Sequence, residues 1–191
     1  MHSVNAAISP PTERYGATAI ALHWVLGLAI VAMLVMGWYM SGLPFSPQRL
    51  KLYNWHKWAG MSILALSVLR LLVRLVQRPP QLPASICVAM PPWQQRAHHG
   101  THLLLYALFF IVPLLGWAYS SAAGFPIVVF GLIPLPDFVP VSPALADTLK
   151  PLHGLAAYAL AALVALHVGA ALKHHFIDRD GLMIRMLPGR G

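Results

Sequence analysis

Four apolar runs, each long enough to cross a lipid hydrocarbon core, leave this chain few choices of fold. A helix rises 1.5 Å per residue, so about 20 apolar residues span a core of about 30 Å. Runs of that length lie near 17–40, 52–76, 96–119 and 148–173. In hydrocarbon every backbone N–H and C=O needs a partner inside the protein, and a helix satisfies its own. The expected fold is all-α: a four-helix transmembrane bundle, with residues 1–191 as a single membrane domain. Composition agrees, since 58% of the residues are hydrophobic and only 9% charged, against about 25% charged in an average soluble domain.

Proline and polar residues mark the three connections. Gly42, Pro44 and Pro47 make the first a short turn, and Pro79, Pro80, Pro83, Pro91 and Pro92 make the second an extended loop at the lipid surface. The third, Ser120 to Asp147, holds an apolar stretch broken by Pro126, Pro134 and Pro136. It is expected to rest in the interface or cap the bundle. Pro113 inside the third span predicts a kink.

The net charge of +8 would suggest a nucleic-acid partner in a soluble chain. Here the cations flank the spans, so the partner is membrane lipid rather than nucleic acid, and their distribution reports orientation. The side with both termini carries Arg14, Arg70, Arg74, Arg78, Arg96, Lys173, Arg179, Arg185 and Arg190. The other carries Arg49, Lys51, Lys57 and Lys150, which places both termini in the cytoplasm. Cys87 is the only cysteine, which excludes an internal disulfide and a Cys-x-x-Cys-His attachment for c-type haem. The first apolar run is too long for the core of a signal peptide and reads as a retained span.

Four histidines, His23, His56, His153 and His167, fall in or at the edge of the spans. An intramembrane ionisable group is costly without a partner and marks a functional site. His153 and His167 are fourteen residues apart, about 21 Å of helix rise and close to four whole turns, so they share one face at opposite depths. The antiparallel first and second spans put His23 at the depth of His167 and His56 at the depth of His153. Two such pairs suit two b-type haems, because each haem iron takes one axial ligand from each face. Zinc fits less well, since its sites gather three or four ligands at one point.

Arg70 and Arg74 lie one turn apart near the cytoplasmic end, where guanidinium groups can hold the propionates of a haem between His23 and His167. Phosphate headgroups are the competing partner. Lys150 sits one turn before His153 and, with Lys51 and Lys57, makes a positive mouth at the outer end, able to bind propionates or draw in an anionic donor. His99 and His102 read as interfacial packing, and His174 and His175 as cations suited to the C-terminal end of a helix. The six tryptophans cluster near span ends like an interfacial belt.

The segments "AIALHWVLG", "LYNWHKWAGMSILALSVLRLLVRL", "HHGTHLLLYALFFIVPLLGW" and "DTLKPLHGLAAYALAALVALHVGAALKHHF", taken in order, resemble the bacterial cytochrome b-561 family over nearly the whole chain. The resemblance implies a di-haem, four-helix protein of the bacterial inner membrane, ligated by His23, His56, His153 and His167. It also implies electron exchange with ubiquinone, with superoxide as a possible outer donor. Two other readings remain open at this level: an anchor subunit linking a hydrogenase or formate dehydrogenase to quinone, and a haem-free, His-lined metal transporter.

Overall fold

The computed structural model describes residues 14–77, 79–82, 86, 88 and 90–189. The expectations for Arg78, Pro83, Cys87 and Arg190 fall outside the described residues. Four long helices form the body: α1 Ala17–Ser41, α2 Pro47–Val76, α3 Pro92–Ala122 and α4 Pro143–Lys173. All four are long and apolar enough to cross a membrane.

The helices extend past the apolar runs because their starts are built from polar caps and prolines. Ser46 Oγ accepts the Arg49 backbone N–H at 3.2 Å and Ser142 Oγ that of Leu145 at 3.3 Å. Pro47, Pro92 and Pro143 each occupy the first turn, where a missing N–H costs nothing. Helix α3 continues through Pro113, and α4 through Pro151.

Leu26 and Ile30 from α1, Ile63 from α2, Leu105 from α3 and Leu160 from α4 form one buried cluster. Leu28, Val35, Leu75, Leu103 and Leu155 point outward and exposed, as lipid-facing residues do. Helix α1 packs on α2, α2 on α3 and α3 on α4, while α1 and α4 meet only sparingly.

The third connection folds back on the bundle. Strands β1 Val128–Val129 and β2 Ile133–Pro134 pair antiparallel around Phe130 and Gly131, both at positive φ (53° and 74°). The Phe130 ring lies 5.9 Å from that of Trp58, and Lys57 Nζ donates to the Phe125 carbonyl at 3.4 Å. This hairpin therefore covers the end of α2 near His56.

The C-terminal segment closes the opposite end. After α4 come a π-turn, His174–Asp178, and a 3-10 turn, Met183–Met186. The buried Arg185 guanidinium donates to the Pro80 and Gln81 carbonyls at 3.0 and 2.8 Å and lies over the Tyr15 ring. Trp24 Nε1 donates to the Met186 carbonyl at 2.7 Å, and Arg14 reaches the carbonyls of Leu187 and Gly189. Arg14 and Arg185, counted by sequence as topological cations, thus also clamp the tail.

Candidate functional site

Helix α4 carries His153 and His167, and each ring faces a histidine on a different helix. The His23 and His167 ring centroids are 6.1 Å apart at an interplanar angle of 63°. Those of His56 and His153 are 6.2 Å apart at 90°. The four sequence-selected histidines therefore meet as the depth argument pairs them. Leu160 and Ile63, each about midway between the site positions of its own helix, belong to the apolar cluster between the pairs.

Three observations bear on whether a haem fits these residues. Two imidazoles bound to opposite sides of one metal, each at about 2.0 Å, put their ring centroids about 6 Å apart, as in both pairs. The helices that share a pair, α1 with α4 and α2 with α4, make few contacts, so the paired rings reach across a gap rather than pack within a closed interface. Thirdly, His56 Nδ1 is buried without a hydrogen-bond partner among the described residues. The residues fit the group.

Neighbouring atoms orient the rings. His153 Nδ1 donates to the Val112 carbonyl at 3.0 Å, which leaves the lone pair on Nε2 for a metal. Close glycines make room on the same side. A Cβ added at Gly116 would lie 3.0 Å from His153 Cε1, and one at Gly37 would lie 3.3 Å from His56 Cε1.

The second pair is set differently. Arg70 lies 3.2 Å from His23 Nδ1 and 3.4 Å from the Ala19 carbonyl. A guanidinium only donates, so this contact needs the Nδ1 lone pair and puts the ring proton on Nε2. Ligation through Nε2 needs the opposite tautomer and hence the release of Arg70, freeing it for an acidic group. Arg74 stands with Arg70 against the same ring, Tyr106, at 5.3 and 5.9 Å.

The sequence reading missed two neighbours of this pair. His102, expected to pack at the interface, has its ring 5.2 Å from His167 and 4.6 Å from His98. Trp24, left without a role, sets its ring edge-on to His23 at 5.6 Å. The signal for His102 was present, since His98 and His102 are one turn apart, but its direction depends on the rotation of α3 against α4. At the other end Lys150 is exposed, Lys51 lies over the Trp55 ring at 5.2 Å, and Lys57 is tied to the hairpin.

Comparison with known proteins decides the family. Residues 14–189 match the model described as prokaryotic cytochrome b561. The chain belongs to the prokaryotic cytochrome b561 family. It is 34% identical to cytochrome b561 homolog 2 of Escherichia coli K12 over 92% of each chain. It is 32% identical to cytochrome b561 homolog 1 of the same organism, covering 93% of this chain and 99% of that one. It is 30% identical to the probable superoxide oxidase CybB of Yersinia pestis, covering 92% and 97%. Family and spans together make this a b-type cytochrome of electron transfer, multi-pass in the bacterial inner membrane.

Proposed function

We propose that this cytochrome holds two b haems, one between His23 and His167 and one between His56 and His153, and carries electrons from superoxide on the outer side to ubiquinone. The observation that carries the reading is the pair of opposed imidazole sets, at 6.1 and 6.2 Å, on three helices, α1, α2 and α4. The likeness to a probable superoxide oxidase supports the donor, and the cation tally supports placing both termini in the cytoplasm.

When bound, the haems supply one-electron redox chemistry, and two protein ligands per iron favour electron transfer over oxygen binding. The chain's own residues do the rest. The Val112 carbonyl fixes the His153 tautomer, and Gly116 and Gly37 leave room for the ligand rings. Arg70 and Arg74 offer charge to propionates, while Lys51, Lys57 and Lys150 draw an anion to the outer mouth. Overall, two superoxide anions and two protons convert one quinone to its quinol and release two molecules of oxygen.

Purified protein is expected to reduce a soluble ubiquinone faster with a superoxide source than without, and added superoxide dismutase is expected to abolish the difference. Equal rates with and without the source would remove superoxide as donor.

Gly116→Ala tests the cradle. Its Cβ must push the His153 ring, so binding at the His56–His153 pair is expected to weaken about 10- to 100-fold, as when other groups that orient a metal ligand are lost. Gly154→Ala, where a Cβ meets nothing within 4 Å among the described residues, is expected to keep full haem content in the same pyridine haemochrome assay.

A further inference from the structure

Beyond the last turn of α4, two of the chain's five acidic side chains converge on one imidazole. His174 Nδ1 lies 2.5 Å from Asp180 Oδ2 and 3.2 Å from Asp178 Oδ2, and the His174 side chain is only 12% exposed. The ligand atoms of the three residues all lie within 4.8 Å of one another. The backbone brings them together through the π-turn and the left-handed Arg179 (φ 52°) that follows it. The Leu182 backbone N–H holds Asp180 Oδ1 at 3.0 Å, so that Oδ2 is the oxygen presented to His174.

We propose that His174, Asp178 and Asp180 form an exchangeable site for a divalent transition metal, one that pins the C-terminal segment to the end of α4. Imidazole nitrogen and carboxylate oxygen bind zinc at about 2.0–2.2 Å, which sets neighbouring ligand atoms a little over 3 Å apart. The 3.2 Å separation meets that already. The 2.5 Å contact is a hydrogen bond from the imidazole N–H to the carboxylate, and it opens when a metal takes the proton's place. One imidazole with two carboxylates suits zinc, manganese or iron(II) and does not suit copper(I).

Three protein ligands leave positions for water, which makes the metal exchangeable. The two carboxylates neutralise a divalent ion in a chain whose net charge of +8 otherwise repels cations. Lys173 Nζ, 2.6 and 2.9 Å from the two Asp178 oxygens, is the competing cation the metal displaces. Asp180 begins the segment that Trp24, Arg14 and Arg185 fasten across the His23 end, so occupancy of the site holds that segment in place.

The test uses haem-loaded protein purified with a tag that contains no histidine, and equilibrium dialysis against radioactive zinc. One zinc per chain is expected. Asp178→Asn and Asp180→Asn are each expected to weaken binding at least about tenfold. Lys173→Ala is expected to strengthen it about two- to fivefold, because the half-exposed ammonium no longer competes. Zinc is expected to slow tryptic cleavage after Arg179 in the parent protein and to leave the Asp180→Asn rate unchanged. An unaltered haem spectrum in each variant shows that the bundle is intact. Zinc bound as tightly by both Asn variants as by the parent overturns the proposal, as does zinc lost only when His98 and His102 are replaced.

Discussion

Replacing His153 with Ala is expected to leave a protein that binds one haem instead of two, with the spectrum of the His23–His167 site intact. His56 faces the same ring at 6.2 Å, so His56→Ala is expected to produce the same one-haem protein. The double variants separate pairing from general damage. The His56 and His153 double variant is expected to keep one haem, because in the proposed pairing both residues serve a single site. Combining His56→Ala with His23→Ala is expected to remove both haems, because in the proposed pairing those residues serve different sites. Haem quantitation and the reduced-minus-oxidised spectrum read each outcome. A His153→Ala protein that loses the His23–His167 signal instead would overturn the pairing.

The next largest effect is expected at the proposed outer mouth. With superoxide as donor, Lys51→Gln, Lys57→Gln and Lys150→Gln combined are expected to slow superoxide-dependent quinone reduction about tenfold or more at low ionic strength. Charge steering changes association rates by about 10- to 1,000-fold, and superoxide is a small anion for which it counts fully. The Debye length shrinks from about 30 Å at 0.01 M salt to about 3 Å at 1 M, so the gap between parent and variant is expected to close as salt rises. Among the described residues Lys51 and Lys57 make a cation–π contact and one 3.4 Å hydrogen bond, and Lys150 is exposed, so haem content is expected to stay at the parent value. A rate that changes equally at all salt concentrations would point to lost structure instead of lost attraction.

Much of the fold and of the candidate site is legible in the sequence. The four spans follow from apolar length alone, and the starts of α2, α3 and α4 move outward because Ser46, Ser142 and the N-terminal prolines lie beyond the apolar runs. The facing of His23 by His167 and of His56 by His153 follows from rise per residue and the antiparallel order of spans. The occupant of each gap and the direction of electron flow rest on the proposal and not on this geometry. Other parts were hidden. His102 looked like a packing residue because spacing along α3 does not report how α3 is rotated toward His167. Arg185 looked like a topological charge because its carbonyl partners, Pro80 and Gln81, lie more than a hundred residues away in the chain. The apolar third connection was expected at the interface or over the bundle, and its hairpin lies over Trp58 through a turn with two positive φ angles.

The sequence by itself determined the solvent, the number of spans and the depth of each intramembrane histidine. These depend on hydropathy and on a fixed rise per residue, both local properties. Only the tertiary structure decided what stands beside each imidazole: the Val112 carbonyl at His153, the Arg70 guanidinium at His23, and two carboxylates at His174. Such contacts depend on the rotation of one helix against another and on the path of the chain after α4. Both are set by packing among residues far apart in sequence.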